Sequence, residues 1–265
     1  MKKASYLCLF LFALLSCKED LEPIPGGLII MEIPSVATGD NYLIRIHLPP
    51  SFDLSKDYPV LYQLDGETTT GSVIKSYLDL QERDVINEII IITIDYKHEN
   101  NRERDFTPTA HSSFDESGGA SNFLLFLTDE LVPLINARYP VDQTFGNTLR
   151  GHSLGGLFAS YALFEDNQNH FQNFIIESPS WWWDDNFAIG QEYQYAQDNG
   201  DLPVRAYFAV GEYEGATMKG SFEVIKDRLE SRDYENFESN FEILPKQDHL
   251  EVRENSRGLK TIFNK

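Results

Sequence analysis

Gly151-His152-Ser153-Leu154-Gly155 is the stretch of this chain best suited to covalent chemistry. A serine flanked by glycines, where a strand turns sharply into a helix, holds its hydroxyl above the strand end and open to a substrate. The flanks predict that setting. Asn147-Thr148-Leu149-Arg150 upstream is short and partly apolar, and Leu157 to Phe164 downstream reads as a helix with an apolar face. The glycines let strand and helix approach without a clash, while the serine sits in strained backbone geometry. The Leu154 N–H, at the helix start, then faces whatever Ser153 attacks and is a candidate oxyanion donor.

A serine hydroxyl is a weak nucleophile until a base takes its proton, and that base needs an acid to fix its tautomer. Six histidines compete for the role. His152 adjoins the serine, but neighbouring strand residues point to opposite faces, so its ring is not expected to reach the hydroxyl. His47 falls in an early strand and His170 in a polar connection, while His98 and His111 lie in a long loop. His249 alone follows the last expected strand, where the chain order Ser, acid, His requires the base. The acid belongs after the penultimate strand. Glu214 has the reach of a short loop, Glu212 directly follows Gly211 and is the reserve, and Asp184 and Asp185 are a weaker fallback. The second oxyanion donor is expected after the strand ending Leu64-Asp65-Gly66-Glu67. There Gly66 would let the Glu67 N–H face the pocket, although a plain strand-end turn explains Asp-Gly equally well.

Alternating and continuous apolar runs supply the elements that must position these groups. Leu28–Ile33 and Tyr42–Leu48 read as an antiparallel pair near a sheet edge. Pro59–Gly66, Gln172–Glu177, Val204–Val210 and Phe237–Leu244 read as further strands, and Glu88–Asp95, the most hydrophobic, is expected at the sheet centre. Helices are expected over Gly119–Tyr139, Ser221–Tyr234 and Leu250–Phe263. Strands alternating with helices, without internal repeats, predict an α/β fold whose mostly parallel central sheet is covered by helices on both faces. A polar loop, Tyr96 to Gly119, is long enough to be functional. All three tryptophans fall at Trp181-Trp182-Trp183 after a strand end, where Trp181 and Trp182 are candidates for holding an apolar or sugar-like substrate group.

The N-terminus carries a different message. Met1-Lys2-Lys3 followed by Ala4 to Leu15 has the pattern of a secretory signal, too short to span a bilayer. It ends Leu14-Leu15-Ser16-Cys17, which resembles a bacterial lipobox. Residues 1–16 are therefore read as a lipoprotein signal peptide, Cys17 as the lipidated residue, 17–27 as a tether and 28–265 as one domain. Cys17-Lys18-Glu19-Asp20 also looks like an acidic surface-export tag, so the expected location is the cell envelope, anchored by lipid at the outer membrane and open to surface display. Both cysteines, Cys8 and Cys17, lie in this leader, so the mature fold has no internal disulfide or thiolate site. The formal charge of -20 disfavours nucleic acid and anionic membrane surfaces by repulsion, leaving the lipid as the membrane contact.

With these residues in view, GGASNFLLFLTDELVPLI, LRGHSLGGLFASYAL, ESPSWWW, AVGEYEG and LPKQDH together resemble an esterase family of α/β-hydrolases. It includes the ferric enterochelin (siderophore) esterases and the esterase D and feruloyl esterase types. The resemblance runs from about Ile29 to His249 and implies an α/β-hydrolase fold with Ser153 as nucleophile and His249 as base, and it favours Glu214 as acid. Arg102 to Pro108 is similar to a loop these proteins carry beside the pocket, which makes Arg104 a candidate substrate residue. It implies a serine esterase acting through an acyl-enzyme on a small-molecule or oligosaccharide ester, of siderophore or acylated-carbohydrate type. No cofactor or metal is implied. A non-catalytic ligand-binding lipoprotein and an acyltransferase are the competing readings. The chain departs from the family at Pro245-Lys246, where Pro-Gly is usual, and its acidity shows no basic pocket for an anionic siderophore.

Overall fold

The computed structural model describes residues 26–265. The expected signal peptide, Cys17 and all but the last two residues of the tether lie outside the described residues.

The chain folds as β1 (Leu28–Pro34), β2 (Asn41–His47), β3 (Val60–Gln63), α1 (Gly66–Glu82), β4 (Ile90–Tyr96) and the short α2 (Arg102–Asp105). It continues through α3 (Ala120–Leu125), a π-helical stretch (Phe126–Leu131), α4 (Val132–Arg138), β5 (Asn147–His152), α5 (Leu154–Glu165), β6 (Asn173–Glu177) and α6 (Trp183–Asp198). The remaining elements are β7 (Arg205–Gly211), α7 (Ala216–Ser231), β8 (Glu238–Leu244), α8 (His249–Glu254) and α9 (Arg257–Phe263). One eight-stranded sheet has the order β1-β2-β4-β3-β5-β6-β7-β8. β1 pairs antiparallel with β2 and β2 with β4, and every other pairing is parallel. This is the α/β fold with a mostly parallel sheet that the sequence predicts.

Strand periodicity builds two cores. Tyr62, Ile92, Ile176 and Phe208 face one side with Phe123, Phe126, Phe158 and Phe222. Their strand neighbours Leu61, Ile91, Ile175 and Tyr207 face the other with Val73, Tyr77, Val252, Leu259 and Phe263. The strand order turns around between β3 and β5: β4 lies on one side of β3, and β5 begins the run on the other. Such a switch point opens a crevice at the C-terminal strand ends, which is where open α/β sheets bind ligands.

Four expectations change. α1 replaces the turn expected after Gly66, so Glu67 lies in a helix's first turn. β4 is internal, but the centre belongs to β3 and β5. The helix expected over Gly119–Tyr139 loosens to π geometry just before Pro133, which has no N–H to offer the preceding turn and whose ring crowds it. The closing helix breaks at Asn255, whose ψ of 154° is extended. The break is held from below. Arg150, in a buried ion pair with Glu177, donates to the carbonyl of Arg253 at 3.0 Å, while the Asn255 side chain donates to Glu177 at 3.1 Å. A pair of charges under the sheet end thus fixes the C-terminal end of the same short helix that begins at His249.

Candidate active site

Ser153 sits at φ 61°, ψ −120°, a conformation that costs a non-glycine residue roughly 1–3 kcal/mol and persists only where surroundings impose it. The surroundings are explicit. Its N–H donates to the Glu177 carbonyl at 3.0 Å, and its own carbonyl accepts from the Ser180 N–H at 3.0 Å, so the turn is pinned to the end of β6. A Cβ on Gly151 would lie 2.0 Å from the Gly155 carbonyl oxygen, so any side chain there would push α5 off the strand.

The Ser153 hydroxyl donates to His249 Nε2 at 3.1 Å, and His249 Nδ1–H donates to the Glu214 carboxylate at 2.8 Å. His249 is the first residue of α8. The Asp248 side chain accepts from the N–H groups of Leu250 and Glu251, and Glu251 accepts from the Asp248 N–H, so a capping box sets the angle at which the imidazole leaves the helix. Glu214 lies in the loop after β7 with its carboxylate 1% exposed. Its second oxygen accepts from the Ser178 hydroxyl and from the Gly211 N–H. Burial works to raise the Glu214 pKa, but hydrogen bonds from His249, Ser178 and Gly211 outweigh it and hold the carboxyl below its usual value. It is an ionised carboxylate under the imidazole.

These three residues are among the candidates expected from the sequence, and the structure brings them into one hydrogen-bonded line, with Glu214 and none of its rivals beside His249. Glu212 points away and accepts from the Lys246 N–H at 2.7 Å. That bond steadies Lys246 at φ 58°, the left-handed conformation suited to the glycine usual at this place. Asp184 and Asp185 form part of an exposed left-handed turn and make no contact with the relay. Leu154 and Glu67 occupy the first turns of α5 and α1, whose leading N–H groups have no acceptor within their helices. Glu67 lines a cavity of about 240 Å³ together with Ser153, His249, Asp65, Arg102 and Arg253. A second, shallower space of about 400 Å³ opens on the other side of the same Ser153–His249 pair, lined by Trp182, Tyr213, Gly215 and Met218.

Two candidate substrate residues are corrected. Trp181 is core: it is 1% exposed, its indole N–H donates to Ser160 at 2.7 Å, and its ring stacks on Phe222. Trp182, 39% exposed, is the member of the cluster that faces the cleft, since Trp183 is buried under His111 and Phe114. Arg104 turns from the cleft to pair with Asp40 and the fully buried Asp105, which would otherwise be uncompensated. Arg102, two residues earlier, lines the cavity and is itself clamped by Asp65 through bonds of 2.8 and 3.1 Å.

Two contributors escaped the sequence reading. Ser178, at φ 42° and fully buried, left no signal beyond its place in the ESPS stretch. His152 makes no hydrogen bond to the Ser153 hydroxyl, although it lines the same cavity; its ring lies 4.5 Å from that of His249, and its Nε2–H donates to the backbone carbonyl of His249 at 2.7 Å. Burial, and then the adjacent His249, push the His152 pKa down to about 3, so it stays neutral while it holds the base.

The sheet order and the strained serine between β5 and α5 define an α/β-hydrolase. The chain belongs to the family described as "Putative esterase", whose model matches residues 35–236, a span that includes Ser153 and Glu214 and ends before His249. The ferri-bacillibactin esterase BesA of Bacillus subtilis is 30% identical over 194 residues, 66% of this chain and 66% of that protein. A siderophore triacetylfusarinine C esterase of Aspergillus fumigatus is 30% identical over 156 residues, 55% of this chain and 53% of that protein. The chain therefore spans just under two thirds and about half of the lengths of these relatives. The crystal structure of the BES protein from Bacillus cereus superposes with a TM-score of 0.81 at 28% identity, covering 92% of this chain and 97% of that one.

The carboxylate geometry makes a graded prediction. Glu214→Gln leaves the fold intact and lowers kcat on a p-nitrophenyl ester by about 10²-fold or more, because the amide no longer stabilises an imidazolium. Ser178→Ala lowers it by roughly tenfold through a less well held carboxylate, at the usual magnitude of a lost hydrogen bond to charge. Glu212→Gln stays within a few-fold of wild type. Steady-state kinetics on the three variants check the order, and a crippled Glu212→Gln beside an active Glu214→Gln would contradict it.

Proposed function

We propose that the chain is a serine carboxylic-ester hydrolase that acts through an acyl-enzyme on a siderophore-type or acylated-carbohydrate ester. The carrying observation is the unbroken relay of Ser153, His249 and buried Glu214 at the mouth of a cavity over the switch point. His249 Nε2 takes the Ser153 proton as the hydroxyl oxygen attacks the ester carbonyl, and Glu214 steadies the imidazolium. The N–H groups of Leu154 and Glu67 hold the developing oxyanion. Collapse expels the alcohol, protonated by His249, and leaves an acyl group on Ser153. Water activated by the same imidazole then releases the acid.

A ligand-binding protein on this fold would have no need for a strained serine or an ionised carboxylate buried behind a histidine. The small-molecule substrate class is supported by the two relatives, each named for a siderophore ester that it cleaves. Trp182 beside Ser153 is suited to an aromatic or sugar face of such a substrate. We further infer that Cys17 carries a lipid which tethers the domain to the outer membrane, on the strength of the lipobox-like Leu14-Leu15-Ser16-Cys17. The tether leads into β1, an edge strand, with three strands between it and β5, the strand that ends just before Ser153.

Ser153→Ala is expected to fold normally and to lose p-nitrophenyl acetate turnover by on the order of 10³-fold or more; near wild-type turnover would overturn the assignment. Cys17→Ser is expected to move the protein from the membrane fraction to the soluble one with kcat retained. Continued detergent-dependent fractionation of that variant would rule the anchor out.

A further inference from the structure

The charges around the cleft are almost all spoken for. Arg102 is clamped by Asp65, Arg45 pairs with Asp95, Arg104 with Asp40 and Asp105, and Arg150 with Glu177. Arg253 is the exception on the cavity wall. It lines the same space as Ser153 and His249, it takes part in no ion pair among the described residues, and its Nε is buried without an acceptor. In a chain with 42 acidic and 22 basic residues, a guanidinium left unpaired at a cleft is not the default outcome of surface charge.

Its backbone is held in place. Arg253 stands one turn after His249 on α8, and its backbone carbonyl is held by Arg150 at 3.0 Å. After burial and His249, the Arg253 charge is a further influence lowering the His152 pKa, so the guanidinium lies near enough to the elbow to act on it. The acids that share the wall do not compete for it. Asp65 is clamped by Arg102 and Asp95 contacts Arg45, although neither Asp95 oxygen has a hydrogen-bond partner, and Glu67, across the cavity on α1, accepts from Asn100 at 3.3 Å. An anion entering the cavity therefore meets an unpaired positive charge on the α8 side and an unneutralised carboxylate on the α1 side.

We propose that Arg253 is an anion-binding residue of the ester cleft, selecting esters that carry a carboxylate on the part of the substrate lying against α8. This rests on the esterase reading of the site. A guanidinium meets a carboxylate with two parallel N–H···O bonds, and hydrogen bonds to a charged partner are stronger than neutral ones. The apolar half of the ester then takes the other side of Ser153, against Trp182, Tyr213 and Met218.

The test uses two matched ester pairs. O-butyryl-N-acetylserine against its uncharged amide places the charge on the alcohol side, and mono-p-nitrophenyl adipate against its methyl ester places it on the acyl side. In at least one pair the wild-type protein should favour the carboxylate in kcat/KM. Arg253→Gln should cut that preference by about 10- to 100-fold, the range for a hydrogen bond to a charged group, and Arg253→Lys should retain part of it. An Arg253→Gln variant whose charged-to-neutral ratios match wild type in both pairs overturns the proposal. Calorimetric binding of the carboxylate esters to Ser153→Ala and to Ser153→Ala/Arg253→Gln reads the same contact without turnover. Equal affinity for the two proteins again overturns it, whereas absence of any turnover of the neutral esters by wild type sinks the esterase reading instead.

Discussion

The arrangement depends on keeping Ser153 in a backbone conformation that an isolated chain would avoid. At φ 61°, ψ −120° the residue stands between β5 and α5 with its side chain lifted clear of both. That state survives because Gly151 lets the helix close to van der Waals distance and because β6 binds the turn on both sides, through Glu177 and Ser180. The strain is offset by these contacts and appears as a hydroxyl facing open space instead of packing.

The rest of the site is built by fixing each partner of that hydroxyl from behind. Glu214 is ionised inside the protein since three donors surround it, two of them outside the relay. His249 is aimed by a helix cap, by the His152 ring on its carbonyl and, at the far end of the same helix, by the Arg150–Glu177 pair. Glu177 thereby serves two elements at once: its carbonyl holds the N–H of Ser153 and its buried carboxylate anchors the end of α8. The nucleophile and the base, far apart in sequence, are referred to one residue at the end of β6.

Much of this is legible in the sequence. The strands show themselves by apolar runs, and the elbow by glycines whose only use is close approach. Ser153 and His249 follow from their order after successive strands, whereas that order leaves Glu214 and Glu212 both open as the acid, and it is the hydrogen bond to His249 that singles out Glu214. What escaped is of another kind. Ser178, His152 and Arg150 act by direction, and a single polar residue at a strand end carries no periodic signal of where it points. Arg104 and Arg102 are indistinguishable in a loop read as text, and it is Asp40 and the buried Asp105 that draw Arg104 inward. Trp181 and Trp182 are likewise neighbours with opposite fates, because one of them fills the gap above Phe222. The break at Asn255 was hidden as well, since the partners that create it come from β5 and β6.

The proposed chemistry turns on activation of Ser153 by His249 and Glu214. Labelling with a fluorophosphonate, which modifies only a serine whose base is in place, tests it most directly. The account predicts one phosphonyl group per chain by intact mass, located on the peptide containing Ser153, with esterase turnover lost in step with labelling. Protein that stays unlabelled while hydrolysing esters, or a label on another residue that accounts for the inactivation, would contradict it.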